Sequence, residues 1–248
     1  MPSAGTGQRQ LSFVVAASML GGVFLPGNRP VSLALFDLDN TLIGGDSDYL
    51  WGCFLAEHGI VDGAVYERAN QRFYDQYKAG VLDINEFLRF QLKPLAEHDM
   101  HTLEQWRSQY IDEKITPILL PKAQTLIDEH RSRGDTPVII TATNSFITRP
   151  IAGLYGVEYL LATEPEIIND RYTGNVAGAP CFQDGKVDNI TTWLAAASET
   201  LADSWFYSDS HNDLPLLNRV THPVAVDPDD ILRQHASEHD WQVMSLRD

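Results

Sequence analysis

Cysteine is nearly absent from the chain. Cys53 and Cys181 are the only two among 248 residues, too few for a disulfide framework and in keeping with a reducing compartment. Positive charge is scarce as well. Lys and Arg number 18 against 34 Asp and Glu, a net charge of −16, and a chain this acidic repels phosphate backbones and anionic lipid. No nucleic-acid or membrane partner is expected. Long hydrophobic runs are missing too. The longest, Leu11–Leu25, is about fifteen residues and is broken by Ser and Gly, short of what a spanning helix needs. With Arg9 alone as a basic residue ahead of it, it makes a poor secretory leader. Residues 1–30 are therefore expected to form a poorly ordered extension, and the protein to be cytoplasmic. Repeats and low-complexity tracts are lacking. An apolar fraction of 44% with 10% aromatics is ordinary for a chain with a buried core, which excludes disorder, collagen and coiled coil.

From Val31 onward, short β-rich apolar runs alternate with helical patterns. The runs are Val31–Phe36, Pro137–Thr141, Tyr159–Thr163, Ser204–Ser208 and Pro223–Val226; helices are expected at Ala123–Arg133, Phe146–Tyr155, Asp188–Ala197 and Asp229–His239. Continuous apolar runs separated by helices predict a parallel sheet covered on both faces. The fold class is α/β, a Rossmann-like doubly wound sheet whose ligands bind at the carboxyl ends of its strands. One connection is out of proportion: about a hundred residues without a strand signal follow the first run, longer than any ordinary loop. Leu103, Trp106 and Tyr110, and likewise Ile84, Phe87 and Leu88, keep helical spacing there. A helical cap is expected over residues 46–116, inserted into a core made of 31–45 and 117–248.

The segment Leu35-Phe36-Asp37-Leu38-Asp39-Asn40-Thr41-Leu42 carries the chemistry. Two carboxylates directly follow a buried strand, which in this fold places both at the ligand edge. The bland alternative, a capped turn, is weakened by a second acidic pair after a later strand, Ser208-Asp209-Ser210-His211-Asn212-Asp213. Carboxylates converging at one edge repel each other unless they hold a cation, and hard oxygen ligands with a phosphate substrate point to Mg²⁺.

Asp37-Leu38-Asp39-Asn40-Thr41 resembles motif I (Asp-x-Asp-x-Thr) of the haloacid dehalogenase superfamily. Thr141 resembles motif II, Lys186 the motif III lysine, and Asp209 with Asp213 the motif IV acidic pair, in that order along Val31–Val226. The resemblance implies a phosphatase. Asp37 would attack phosphorus to form an aspartyl-phosphate. Asp39 would protonate the leaving oxygen and then activate water, which requires a raised pKa that neighbouring carboxylates supply. Thr141, Ala142 and Lys186 would hold phosphoryl oxygens. Mg²⁺ would sit on Asp37, the Asp39 carbonyl and Asp209, with Asp213 behind them. Rival expectations are a phosphotransferase built on the same intermediate and a non-catalytic module that binds a phosphorylated ligand.

Within that superfamily the chain is similar to the phosphoserine-phosphatase-like branch, which inserts a small helical cap after motif I and includes histidinol-phosphate phosphatases. There the resemblance implies substrate contacts from Asp46, nine positions after Asp37, from Arg89 on the cap and from Asn212. Asp46 suits a substrate amine and Arg89 a carboxylate. Three departures stand out. Motif II continues Ala142-Thr143-Asn144 where the branch has two glycines, Ser208 and Ser210 replace motif IV glycines, and the segment Gly44–Trp51 differs from the phosphoserine type. Tyr49 and Trp51 offer aromatic surface to an imidazole, unless they belong to the cap core. The expected partner is a small phosphorylated metabolite, with histidinol phosphate favoured slightly over phosphoserine. His235-Ala236-Ser237-Glu238-His239 has zinc-peptidase spacing, but near the chain end it reads as a solvated helix face.

Overall fold

The computed structural model describes residues 32–247; the extension expected at 1–30 lies outside them. Strand β1 (Leu33–Phe36) leads into four consecutive helices, α1 (Ser47–Glu57), α2 (Gly63–Lys78), α3 (Ile84–Glu97) and α4 (Met100–Tyr110). Each starts the same way. Asp46, Asp62, Asp83 and Asp99 accept, respectively, from the backbone N–H of Tyr49, Val65, Asn85 (with Glu86) and Thr102. Such caps contribute about 1 kcal/mol each, so part of the acid surplus marks helix starts. A π-helical turn over Ile111–Ile115 and a 3₁₀ turn over Thr116–Ile118 return the chain to α5 (Pro121–Ser132) and β2 (Thr136–Asn144).

The core then alternates: α6 (Ser145–Leu154), β3 (Tyr159–Thr163), a hairpin of β4 (Pro165–Ile168) and β5 (Arg171–Val176), α7 (Asp184–Ala197), β6 (Trp205–Ser208), α8 (Leu214–Leu217), β7 (His222–Val226), α9 (Asp230–Glu238) and β8 (Gln242–Met244). The six-stranded sheet has the order β3-β2-β1-β6-β7-β8, every neighbour parallel. Side chains of β1 alternate between its faces, as a strand's geometry demands. Ala34 and Phe36 join one hydrophobic cluster with α5 and α6, while Leu33 and Leu35 join another with α7, α8 and α9. Both faces are thus covered, and the apolar runs of the sequence follow from that burial.

The helical insertion is rooted in the first cluster rather than perched beside it. Trp51, Phe54, Leu95, Leu103 and Tyr110 belong to the same buried group as Phe36 and Tyr207. Trp51 meets Tyr110 edge-on at 5.1 Å and Phe146 of α6 at 5.7 Å. The hairpin was not expected; it turns at Asn169 and Asp170, both with positive φ (51° and 58°), and lies against α3. A Cβ on Gly174 would come within 3.3 Å of Ala96. Among the described residues no helix is long and apolar enough to cross a membrane.

Candidate active site

The carboxyl ends of β1, β2 and β6 meet at the middle of the sheet, where the strand order reverses. Asp37 follows β1 directly, Thr141 lies within β2, and Asp209 follows β6. Lys186, from the first turn of α7, reaches under them. Its Nζ donates to Asp37 Oδ1 at 2.6 Å and to Asp213 Oδ2 at 2.7 Å, with the ammonium buried. Burial opposes that charge, but Asp213 and Asp37 outweigh it and hold the lysine above its ordinary range. Thr41 lies between Asp37 Oδ2 and Asp209 Oδ1, its Oγ1 3.4 Å from each.

Burial, with the Asp213 and Asp39 charges adding to it against Lys186, pushes Asp37 up to about 7. Asp39 is pushed up to about 6 by burial and by Asp46, against the bonds it accepts from Ser47 and Thr143. Those bonds are Ser47 N to Oδ1 at 2.6 Å and Thr143 Oγ1 to Oδ2 at 2.8 Å. A carboxyl held near 6 can carry a proton at neutral pH and also release it. Asp209 is raised well above the usual carboxylate range by burial and by Asp37 and Asp213.

A cavity opens between this edge and the helical insertion. Asp37, Asp39, Thr141, Ala142, Lys186, Asp209, Asn212 and Asp213 line its sheet side, and Asp46 lies on its wall. All the expected site residues meet here except one. Arg89 is exposed on α3, its Nε bonded to the Asn85 carbonyl of its own helix at 3.1 Å, and it is not among the lining residues. The expected carboxylate contact is therefore corrected: α3 turns Arg89 outward because Leu88, Leu92 and Leu95 take the buried face. Asp46 divides its role, capping α1 through Tyr49 N at 2.9 Å while lining the cavity. Trp51 is core at 1% exposure, whereas Tyr49 lines the cavity.

Sequence reasoning missed Asp48, Thr143, Asn70 and Gln91, all of which line the cavity. Asp48 accepts from Asn144 Nδ2 at 3.1 Å and is raised well above its usual range by burial. His235 and His239 stack on each other at 4.0 Å, and among the described residues no three His, Cys, Asp or Glu side chains group as ligands of one ion. The sheet edge offers a different donor set: the Asp37 and Asp209 carboxylates flank Thr41, and among the described residues six acids (Asp37, Asp39, Asp46, Asp48, Asp209, Asp213) line the cavity with one lysine. Hard oxygen donors in charge excess fit a divalent cation such as Mg²⁺.

A family model for haloacid dehalogenase-like hydrolases matches residues 34–218. The chain belongs to this family. It is 42% identical over 220 residues to a histidinol-phosphatase of Neisseria meningitidis, covering 87% of this chain and 99% of the relative. It is 27% identical to phosphoserine phosphatase SerB1 of Mycobacterium tuberculosis, over 99% of this chain and 81% of that protein. A crystal structure of a protein of unknown function from Bordetella pertussis Tohama I superposes with a TM-score of 0.82 at 43% identity, covering 87% of this chain and 99% of that one. A phospho-aspartyl intermediate analogue of a phosphoserine phosphatase shares the fold, with a TM-score of 0.65 at 17% identity over 88% and 95% of the two chains.

In this haloacid dehalogenase-like hydrolase the departures from the motifs have partners. Thr143, at a position where motif II continues with glycine, bonds Asp39, and Asn144 after it bonds Asp48. Ser208 Oγ donates to Asp213 Oδ2 at 2.6 Å, and Ser210 Oγ accepts the Tyr77 hydroxyl of α2 at 2.8 Å.

Proposed function

We propose that the chain hydrolyses histidinol phosphate, a small phosphomonoester, through an aspartyl-phosphate on Asp37 with Mg²⁺ bound. One observation carries the substrate choice. Among the described residues Lys186 is the sole Lys or Arg lining the cavity, and it already bridges Asp37 and Asp213. A phosphoserine carboxylate would enter without a cationic partner. The walls offer acids and rings instead, with Asp46 and Asp48 suited to an amine and Tyr49 and Tyr74 to an imidazole. The kinship with the Neisseria histidinol-phosphatase supports the same reading.

In the first step an Asp37 oxygen attacks phosphorus, the bond to the alcohol oxygen breaks, and Asp39 delivers its proton to that oxygen. Oδ1 carries the lysine, leaving Oδ2, with a single 3.4 Å contact from Thr41, the freer of the two. In the second step Asp39 takes a proton from water, whose oxygen attacks phosphorus and releases the Asp37 carboxylate. Thr141, Ala142 and Lys186 hold the phosphoryl oxygens, and Asp213 keeps Lys186 in place. Mg²⁺, held by Asp37, Asp209 and the Asp39 carbonyl, would neutralise charge on the transferring group. Phosphate release from histidinol phosphate and from phosphoserine tests the assignment. The expected result is a kcat/KM at least about tenfold higher for histidinol phosphate; a preference for phosphoserine overturns it.

A further inference from the structure

Opposite the acidic edge, the cavity wall contributed by α2 and α3 is aromatic, with Phe73, Tyr74 and Phe87 on it. Two amides interrupt that apolar surface. Asn70, 6% exposed, brings its Nδ2 so close to α1 that a Cβ on Gly52 would meet it at 2.9 Å. Gln91 is 3% exposed, lines the cavity, and has no hydrogen-bond partner for its Oε1 among the described residues. Gln91 also stands within the buried stripe of α3, between Leu88 and Leu95 and beside Leu92, where packing alone would be served by another leucine. A buried carbonyl oxygen without a donor is destabilising. It is tolerable where a ligand brings the donor.

We propose that Gln91 is a specificity-determining residue whose side-chain carbonyl accepts the N–H of a heteroaromatic ring at the end of the substrate remote from the phosphate. This deepens the histidinol-phosphate reading and rests on it. The chemistry selects the ring over its alternatives. A carboxylate or phosphate at that end brings only acceptors and faces another acceptor. A plain hydrocarbon ring fits the aromatic wall but leaves Oε1 unpaired. An imidazole supplies both the flat apolar body that Phe73, Tyr74 and Phe87 accommodate and the single N–H that Gln91 lacks. A site built to bond one N–H discriminates sharply against the analogue without it, because the penalty is an unpaired buried group.

The test compares histidinol phosphate with phenylalaninol phosphate, which keeps the amine, the ester and an aromatic ring and exchanges the five-membered imidazole for a six-membered ring without nitrogens. Wild-type protein should favour histidinol phosphate by about tenfold or more in kcat/KM. Gln91→Met, close in shape and without the carbonyl, should bring that ratio to about threefold or less, and Gln91→Glu, which retains an acceptor oxygen, should preserve it. Equal use of the two esters by wild type, a measurement that needs no variant to fold, overturns the inference. So does a Gln91→Met protein in which both esters slow equally, the signature of a purely structural residue. If histidinol phosphate beats phosphoserine while Gln91→Met keeps the ring preference, the inference alone fails. If wild type favours phosphoserine, the proposed function fails and takes the inference with it.

Discussion

Thr143→Val removes one hydroxyl and little else, since valine matches threonine in shape and the position is 5% exposed. The lost bond is the 2.8 Å donation from Oγ1 to Asp39 Oδ2. A hydrogen bond to a charged group is worth roughly 1.5–3 kcal/mol, and one pKa unit corresponds to about 1.4 kcal/mol. The hydroxyl favours the ionised form, so its loss raises the Asp39 pKa from about 6 by roughly one to two units. Activity that needs protonated Asp39 declines as pH rises through that pKa. The falling limb of kcat/KM against pH should therefore move to higher pH by about one unit or more. Thr143 also favours the Asp48 carboxylate, so Asn144→Leu serves as the control. It removes the 3.1 Å bond to Asp48 and none to Asp39, and it should leave the limb where it is. A Thr143→Val profile superposable on wild type, or an equal shift in Asn144→Leu, refutes Asp39 as the acid.

Asp37→Asn should fold normally, by circular dichroism and thermal melting, yet lose phosphate release by on the order of a thousandfold or more; substantial turnover by the purified variant ends the aspartyl-phosphate mechanism. Asp209→Asn takes one carboxylate from a hard-oxygen site, so calorimetry should show weaker Mg²⁺ binding and assays a higher half-saturating Mg²⁺; unchanged titrations would place the ion elsewhere. Asp39 has a folded pKa raised from 3.8 to about 6, so the folded state binds more protons than the unfolded one between these values. In chelator, wild-type urea stability relative to Asp39→Asn should fall as pH rises from about 4 to about 7, by on the order of 1–3 kcal/mol. A difference that stays flat or rises contradicts the buried, raised carboxyl.

The sheet was legible because five of its strands carry short apolar runs, most of them buried on both faces, with the edge strand β3 leaving Tyr159 exposed. The strand β8 escaped because Gln242-Val243-Met244 is three residues at an edge, with Gln242 and Val243 exposed, and shows no periodicity. The hairpin escaped because Ile167 and Ile168 sit exposed (49% and 54%) beside polar partners. Its signal was Asn169-Asp170, two residues that tolerate positive φ between short β-prone stretches. At the site, Asp37, Asp39 and Asp209 follow strand ends, which fix their position, whereas Lys186 and Asp213 are suggested by the motif resemblance. Arg89 could not be placed, because its direction depends on how α3 rolls against the core. Asp48 gives no sequence signal of its own, since acids are common in the first turn of a helix. Gln91 left a trace that was not used: one polar residue in an otherwise apolar i, i+3, i+4, i+7 stripe.

The four inserted helices are not equally anchored. Helices α1 and α4 are rooted in the core they share with the sheet, and α3 has the β4–β5 hairpin behind it. Only Tyr66, Asn70 and Phe73 are buried among the 16 residues of α2. At its far end α2 is fastened by the Tyr77 hydroxyl to Ser210 and by the Tyr77 ring near Phe182, centroids 6.2 Å apart. Local opening is least costly where least surface is buried; α2 buries three of its 16 residues against six of 11 in α1, which makes α2 the looser wall of the chamber and Tyr77 its bolt. Hydrogen exchange should reveal this as faster amide exchange in α2 than in α1, accelerated further by Tyr77→Phe; equal protection of the two helices would deny it. The bolt engages the loop that also carries Asp209 and Asn212. The position of α2 and that of the loop carrying Asp209 are thereby linked through one hydroxyl.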